Sequence, residues 1–541
     1  MAKRASMLLA GTASPAMTVM AAKRKSVRSE WLRSESAESI PAKSNSAKSV
    51  ISNLSARTGV ALAATLAFAA CSLAPDYHVP QTPIAASYKT TGPWTAAQPA
   101  DQLRRDGWWK VYNDAQLDDL ETRLIANNND LAAALSHYAQ ALAFVRQTSA
   151  AEYPTLSASF NPQRDRQSAN RPLRVGGPNQ YNTVTLGGEV DYEVDLWGRV
   201  RDSVAASKDE AVATKADLAS VQLSLEVQLA DNYVKLRGFD QQTQVLRGTV
   251  DAFAKALDLT QQLHGGGIVS GLDVSRAKTQ LSSAKSDLSQ NLAQRALVEH
   301  AIAVLVGASA SEFSLPENTA AIGLPVIPAG VPSTLLQRRP DIAAAERRVS
   351  EANEKIGVAR AAYFPKIVIS AQGGFQSALY TGLLTSPNTF WAIGPQIAQY
   401  IFDGGLRRAQ LDAAKAATDE AGARYRGVVL GAFQQVEDNL TLLTDLGTAL
   451  EQQRDAANAA QDSVNLALNR YKQGAVGYLD VVQAQTALLD SQRSVVDIQT
   501  RQLSANVQLV RALGGGWSTD DLQNTQAMPA LAANDADKSA P

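Results

Sequence analysis

The sequence predicts an α+β membrane protein built from one module used twice. Three observations carry this: an internal repeat, two pairs of alternating strands, and two proline-poor stretches long enough for helices of ~100 Å. In the repeat, Asp130 to Pro154 (DLAAAL…YP) returns as Asp341 to Pro365 (DIAAAE…FP), 211 residues later, and beyond each proline the offset is 207. Gly198 thus maps to Gly405, Asp231-Asn232 to Asp438-Asn439, Gly267 to Gly474, Leu272-Asp273-Val274 to Leu479-Asp480-Val481, and Gly307 to Gly514. Solenoid units run roughly 20 to 50 residues, so a period this long marks two copies of a whole module. Each copy reads helix, strand pair, long helix, Gly-containing turn, helix.

After Pro154 the period changes from helical to alternating. Leu156, Ala158 and Phe160 take one face against Thr155, Ser157 and Ser159. From Asn182 to Asp195, Val184, Leu186, Val190, Tyr192 and Val194 share one face, while Glu189, Asp191, Glu193 and Asp195 share the other with Thr183 and Thr185. A soluble sheet would turn the apolar face to a core; a transmembrane barrel turns it to lipid and keeps the acidic face in a watery lumen. The second module offers Ile367, Ile369, Ala371 and Phe375 on one face of its first strand, and a second strand from Phe390 to Phe402 blurred by Gly394 and Pro395. Proline inside a strand belongs at an edge or a bulge. Four strands cannot close a barrel, which needs about eight, and open edges are forbidden in lipid. If the strands span a membrane the chain must oligomerise, and three chains supply twelve strands. Trp197, Trp391, Phe390, Tyr400 and Phe402 fall at strand ends, where aromatic belts meet headgroups.

Between Gly198 and His264 there is no proline, and Leu218, Val221, Leu225, Leu229, Tyr233 and Leu236 recur at spacings of three and four. Phe433, Val436, Leu440, Leu443, Leu446 and Leu450 do the same in the second copy. Narrow apolar seams on helices this long read as coiled-coil-like packing. Gly238, Gly248, Gly422 and Gly431 are candidate bends. The long helices end at Gly-containing turns that include Gly267, Gly271, Gly474 and Gly477, read as the tips of hairpins. Gly265-Gly266-Gly267 follows a helix and lacks the spacing of a phosphate loop, which argues against a nucleotide site.

Residues 1–70 hold 10 basic and 3 acidic side chains and close on an apolar run from Val60 to Ala70, the pattern of an export signal too short to span a bilayer. Cys71, the single cysteine, follows it, and a Pro-rich extended linker runs onward through residue 105. The organisation expected is therefore signal and N-terminal region (1–70), linker (71–105), first module (106–315), second module (316–516) and disordered tail (517–541). The 51 basic and 52 acidic residues are balanced and favour no nucleic-acid partner. One cysteine excludes an internal disulfide framework, and the four histidines are scattered without ligand spacing. No nucleophile, base, metal or cofactor cluster presents itself, so an enzyme is not expected.

The RPDI stretch (Arg339 to Ile342), DLWGR (Asp195 to Arg199), FDGG (Phe402 to Gly405), YKQGAVGYLDVV (Tyr471 to Val482), Trp108-Trp109 and APDY (Ala74 to Tyr77) together resemble the outer-membrane factors of tripartite efflux pumps. The similarity runs from Cys71 to Gly516 and is greatest to the lipoprotein branch attached to resistance-nodulation-division transporters. Phe68 to Cys71 is similar to a lipobox, which implies lipidation at Cys71. The resemblance implies a homotrimeric tunnel in the bacterial outer membrane: a twelve-stranded β-barrel continued across the periplasm by a long α-helical barrel. It conducts drugs or other small compounds passively after a periplasmic adaptor opens its lower end, and it works with an inner-membrane transporter of that class. Tyr471, Asp480 and Asp273 match positions that in relatives close that end. Val476 and Gln483 stand where some relatives carry further charged partners. Independently of the family, three Asp480 carboxylates near a three-fold axis would repel one another and attract cations, while an Asp after Gly477 also suits a helix N-terminus. The same architecture serves type I protein secretion, which is the alternative. A periplasmic scaffold of coiled helices alone leaves the alternating strands unexplained.

Overall fold

The structure is a computed structural model; it describes residues 72–83, 85, 87–89, 107–170, 176, 178–327 and 335–523, all in one compact unit. A lead helix α1 (Ala115–Asn127) precedes the first module: α2 (Asn129–Ser149), β1 (Thr155–Arg166), β2 (Gln180–Glu193), α3 (Arg199–Gly265) and α4 (Gly271–Leu305). The second module repeats the order: α5 (Pro340–Ala361), β3 (Lys366–Ser377), β4 (Thr389–Ala398), α6 (Leu406–Lys472) and α7 (Tyr478–Ala512). Both long helices have 67 residues and both return helices 35, so the duplication is carried to the residue. At ~1.5 Å per residue a 67-residue helix spans ~100 Å. Among the described residues no helix is long and apolar enough to cross a membrane.

The core lies about midway along the helices. Leu225, Leu229, Tyr233 and Leu236 of α3 and Val436, Leu440 and Leu443 of α6 are buried, which is the seam expected from their spacing. Trp108 and Leu117, Leu120 and Leu124 of α1 plug the same cluster. Each such leucine contributes ~2 kcal/mol by leaving water, so the body is fastened in its middle and thins toward the ends.

The repeated glycines end helices. Gly267, Gly307, Gly474 and Gly514 each sit just past the C-cap of a helix, two residues beyond its last residue, with φ of 73°, 69°, 72° and 91°. At each, the glycine N–H bonds the carbonyl three residues back and the next N–H the carbonyl five back, as in Ile268 N to Leu263 O (2.9 Å) and Gly515 N to Val510 O (3.0 Å). This double bond satisfies the last helical carbonyls and requires a left-handed residue that L side chains resist. A second symmetry-matched contact closes the waist. Asn128 Nδ2 donates to Leu305 O at 2.8 Å, and Arg339 Nη1, at the matching place, donates to Ala512 O at 3.0 Å. Each return helix is thereby tied to the start of a module helix.

Several expectations are corrected. The fourth strand stops at Ala398, short of Phe402, because its last pair is Lys366↔Ala398 and the preceding residue of β3 is Pro365, which offers no N–H. Residues 517–523 are not a disordered tail: Trp517 and Leu522 pack on Ala216, Ala343 and Ala344, and Thr519 N bonds Gln337 O at 3.0 Å. Two apolar side chains in a polar segment are enough to fold it back. The remainder of the tail, the export signal and Cys71 lie outside the described residues. Gly238 does not interrupt α3, and a Cβ there would collide with the Thr500 hydroxyl of α7, so the glycine permits close helix approach.

Glu121 on α1 is wholly buried, and neither carboxylate oxygen has a hydrogen-bond partner. Burial, with Glu226 and Asp118 nearby, holds its pKa well above the usual carboxylate range. Below the unfolded pKa both states carry the proton and nothing is lost. As pH rises past it, only the unfolded chain releases the proton, so stability falls until the folded pKa is passed. Glu121→Gln is therefore expected to gain thermal stability that grows from pH 5 to pH 8; an equal gain at both pH values in melting experiments would contradict this.

Candidate functional site: the sheet wall and the helix tips

The four strands form one antiparallel sheet in the order β1-β2-β3-β4, so the hairpins of the two modules join through β2 and β3. Register sorts the side chains. One row across the sheet is Leu156, Val190, Ala371, Ile393, and another is Phe160, Leu186, Phe375, Thr389. The opposite face carries Thr155, Asp191, Ser370, Gly394 and Ser157, Glu189, Gln372, Ala392. Leu156 is 79 % exposed and Ile393 69 %, so the chain leaves most of this apolar face uncovered, Val184 at its end being buried. Both outer strands pair on one side only and both carry a proline, Pro162 and Pro395. The sheet is amphipathic and has two open edges.

Aromatic placement follows from glycines at the sheet centre. Gly187 and Gly374 are directly paired, and the Phe390 ring lies across them, 3.4 Å from where a Gly187 Cβ would stand. Phe390 therefore belongs to the polar face and not to a lipid belt, which corrects the expectation; the glycine row makes its site. Trp391, the next residue, takes the apolar face and is 79 % exposed. Tyr400 and Phe402 are exposed beyond β4. Trp197 stacks on Phe364 with centroids 4.6 Å apart and donates Nε1–H to Pro365 O at 2.9 Å, which ties the β2-to-α3 junction to the α5-to-β3 junction.

The four acidic residues do not act alike. Glu193 takes two bonds from Arg199 (2.7 and 2.8 Å) and an ion pair from Lys366 (3.1 Å). Asp195 pairs with Arg201 at 3.3 Å, and Asp191 accepts from Ser370 Oγ at 2.5 Å. Glu189 is exposed, and no hydrogen bond or ion pair to its side chain is present among the described residues. The expected acidic stripe is thus compensated where the sheet meets the helices. Sequence reasoning missed the cations; the arginines of DLWGRVR were the available signal, one turn after the acids.

At the far ends of the helices the matched tips differ at the residue that caps the return helix, Ser270 in one and Gly477 in the other. In tip one Ser270 caps α4, and Asp273 answers it in a reciprocal box: Ser270 Oγ reaches Asp273 Oδ2 at 2.9 Å, and Asp273 N reaches Ser270 Oγ at 3.4 Å. Arg276 adds an ion pair at 3.5 Å. In tip two the cap is Gly477, with no side chain to offer, and the exposed Asp480 has no side-chain bond or ion pair among the described residues. Gly271 begins α4, near His264, whose Nδ1 lies 2.9 Å from Val269 O. Tyr471 is buried against Tyr478, centroids 5.4 Å apart, with Ala256, Ala277 and Val481 around them. Its hydroxyl has no hydrogen-bond partner among the described residues. Burial, then Tyr471 and Asp273, pushes the Tyr478 pKa up to about 12. Asp273 of tip one and Tyr471 and Asp480 of tip two thus make no side-chain bond to one another within a chain among the described residues.

The extended segment beginning at Ser72 runs against the helices. Arg360 Nη1 donates to Leu73 O at 2.9 Å, Asn353 Nδ2 to Pro75 O at 2.7 Å, and Tyr77 Oη to Glu346 Oε1 at 2.7 Å. Successive contacts move from the C-terminal end of α5 toward its start, away from the sheet. Gly357 leaves the room: a Cβ there would lie 2.8 Å from Ala74 N.

Comparison with known proteins agrees with this geometry. The family model for "Outer membrane efflux protein" matches residues 120–308 and 331–515. The probable efflux pump outer membrane protein TtgC of Pseudomonas putida is 33% identical over 451 residues, 83% of this chain and 93% of that one. The outer membrane protein OprJ of Pseudomonas aeruginosa is 31% identical over 461 residues, 84% of this chain and 95% of that one. Among solved structures, the outer-membrane channel OprN superposes with a TM-score of 0.76 at 28% identity, covering 83% of this chain and all of OprN. The open state of the MtrE outer membrane channel of Neisseria gonorrhoeae gives 0.71 at 27% identity, covering 82% and 98%. An amphipathic half-finished wall, two equal helical hairpins and a family match across both modules lead to one conclusion: the chain belongs to the outer membrane efflux protein family.

Proposed function

We infer that three copies of this chain form the outer-membrane duct of a tripartite efflux pump, passing small compounds outward with a periplasmic adaptor and an inner-membrane resistance-nodulation-division transporter. The observation that carries this is the sheet: four register-matched strands with an exposed apolar face and two open edges form a third of a twelve-stranded wall. Helices of 67 residues continue that wall ~100 Å into the periplasm. The relatives are named as antibiotic, toluene and solvent efflux components, which favours small compounds over protein secretion. Purified trimer in planar lipid bilayers is expected to give discrete ion-conducting events, and deletion of the gene is expected to raise sensitivity to a panel of drugs and solvents. Absence of both effects would remove this function.

The paired helix tips serve as the gate. Support comes from the difference at the cap position, since Gly477 leaves Asp480 without the cap partner that holds Asp273. Asp480 is then available to contacts across the three-fold axis, where three carboxylates repel and collect cations. Tyr471 supplies the buried pivot of the same tip. Asp480→Asn is expected to raise single-channel conductance or weaken block by divalent cations, and unchanged currents would remove the gate role. Gly267 and Gly474 keep the tips tight. In the barrel, Glu189 is the acid left to bias passage toward cations.

Cys71 carries a lipid anchor. The neighbouring Ser72 starts the segment that lies beside the sheet-proximal end of α5, the correct level for an acyl chain in the inner leaflet of the outer membrane. An N-terminal peptide with a free, unacylated Cys71 in mass spectrometry would overturn the anchor and leave the duct untouched.

A further inference from the structure

Above the tip, the two helical hairpins of one chain flank a half-open cavity of about 790 Å³, walled by α3 on one side and by α6 and α7 on the other. That volume lies in the range of pockets for drug-sized ligands. Phe253, Leu259, Val464, Leu468 and Leu489 make its lining apolar, and no carboxylate is among the lining residues. Three features set it apart from a packing gap. Gly248 lines it from the middle of α3 with nothing within 4 Å of where its Cβ would stand, so no close approach requires a glycine there, and the bare backbone enlarges the space. Gln485 also lines it; the residue is only 5 % exposed, yet its Oε1 has no hydrogen-bond partner among the described residues. A buried amide oxygen without a donor is a group that a ligand can satisfy. Finally, the exposed Lys255 and Lys472 contribute to the lining, and neither makes an ion pair or side-chain hydrogen bond among the described residues.

We propose that this cavity binds an amphipathic anion of drug size, with its apolar body against Phe253, Leu468 and Leu489, a donor toward Gln485 Oε1, and its charged head in the field of Lys255 and Lys472. Such a ligand touches both hairpins at once. It therefore favours whichever tip arrangement keeps them at this separation, because it binds that arrangement more tightly than one in which they have moved. Binding itself does not depend on Asp480 or on the gate reading, so the two can fail separately.

The test uses the intact trimer in lipid nanodiscs, titrated with the fluorescent anion 8-anilinonaphthalene-1-sulfonate, with signal from empty nanodiscs subtracted. One saturable site per chain is expected. Affinity is expected to drop about tenfold in Gly248→Leu, which places a side chain in the open space, and in the double variant Lys255→Glu/Lys472→Glu, whose changes are exposed and leave the core alone. The uncharged analogue N-phenyl-1-naphthylamine is expected to bind more weakly than the anion. No saturable binding above empty nanodiscs, or titration curves unchanged in both variants, overturns the proposal.

Discussion

Gly514→Val is expected to abolish assembly of stable trimers. Gly514 sits at φ 91°, where a β-branched residue is strained by about 1 to 3 kcal/mol. A side chain there also meets backbone: a Cβ would collide with the carbonyl oxygen of Arg338 and lie 2.7 Å from its carbonyl carbon. Backbone on both sides cannot yield as a flexible side chain can, so the loss should reach about 4 kcal/mol or more, beyond what most single changes do. The repeat provides its own control. Gly307→Val, at φ 69° with Asn127 O 2.5 Å from the would-be Cβ, is expected to be nearly as damaging. Gly431→Val, in a helix interior with nothing within 4 Å, is expected to cost little. Yield of folded trimer from outer membranes, followed by melting of whatever is recovered, orders the three; a Gly514→Val trimer as stable as the parent would refute the argument.

These glycines show what a repeat can disclose. Matching Gly307 to Gly514 at an offset of 207 locates the constraint without saying what it is, because the collision partner, Arg338, is remote in sequence. The same division holds elsewhere. Alternation alone assigns Val190 and Asp191 to opposite faces, since a strand's period of two is local. It cannot place Phe390, whose side of the sheet depends on the glycines of two other strands. Nor does it show Glu193 compensated, because one of its two cations, Lys366, arrives from the other module. The long helices were legible because proline absence and a three-four seam are local signals. The end of β4 was not, because it is set by where Pro365 ends its partner.

The tips add a further lesson about duplicated proteins. Aligning the modules pairs Ser270 with Gly477, a difference visible in the sequence that separates the otherwise matched Asp273 and Asp480. A capping acid needs a cap with which to exchange bonds. With serine the acid is occupied by its own helix, and with glycine it is free for another chain. In this geometry Asp273 is bonded within its own helix start, and Asp480, which has no such bond among the described residues, is the acid on which the proposed gate chiefly draws.

Arg339→Ala is expected to be the most damaging change to a side chain in the helical body, at about 3 to 5 kcal/mol. The Arg339 side chain is 6% exposed and divides its donors among three groups: Asp341 at 2.6 and 3.0 Å, Gln435 Oε1 at 2.9 Å and Ala512 O at 3.0 Å. One guanidinium thus joins the first turn of α5, the middle of α6 and the end of α7. Its removal leaves the Ala512 carbonyl and the Gln435 amide without this donor and Asp341 without its counterion. Lysine keeps the charge but lacks the planar fork, so Arg339→Lys should recover only part of the loss. In the first module Asn128 holds Leu305 O with one neutral bond and caps α2 through Leu131 N at 2.9 Å, so Asn128→Ala should cost only about 1 to 2 kcal/mol. Thermal denaturation of the purified trimers is expected to rank Arg339→Ala below Arg339→Lys, and Arg339→Lys below Asn128→Ala. If Asn128→Ala proves the most destabilised, the two halves of the waist do not carry load as their bonding implies, and the reading of RPDI as the fastening of the second module fails.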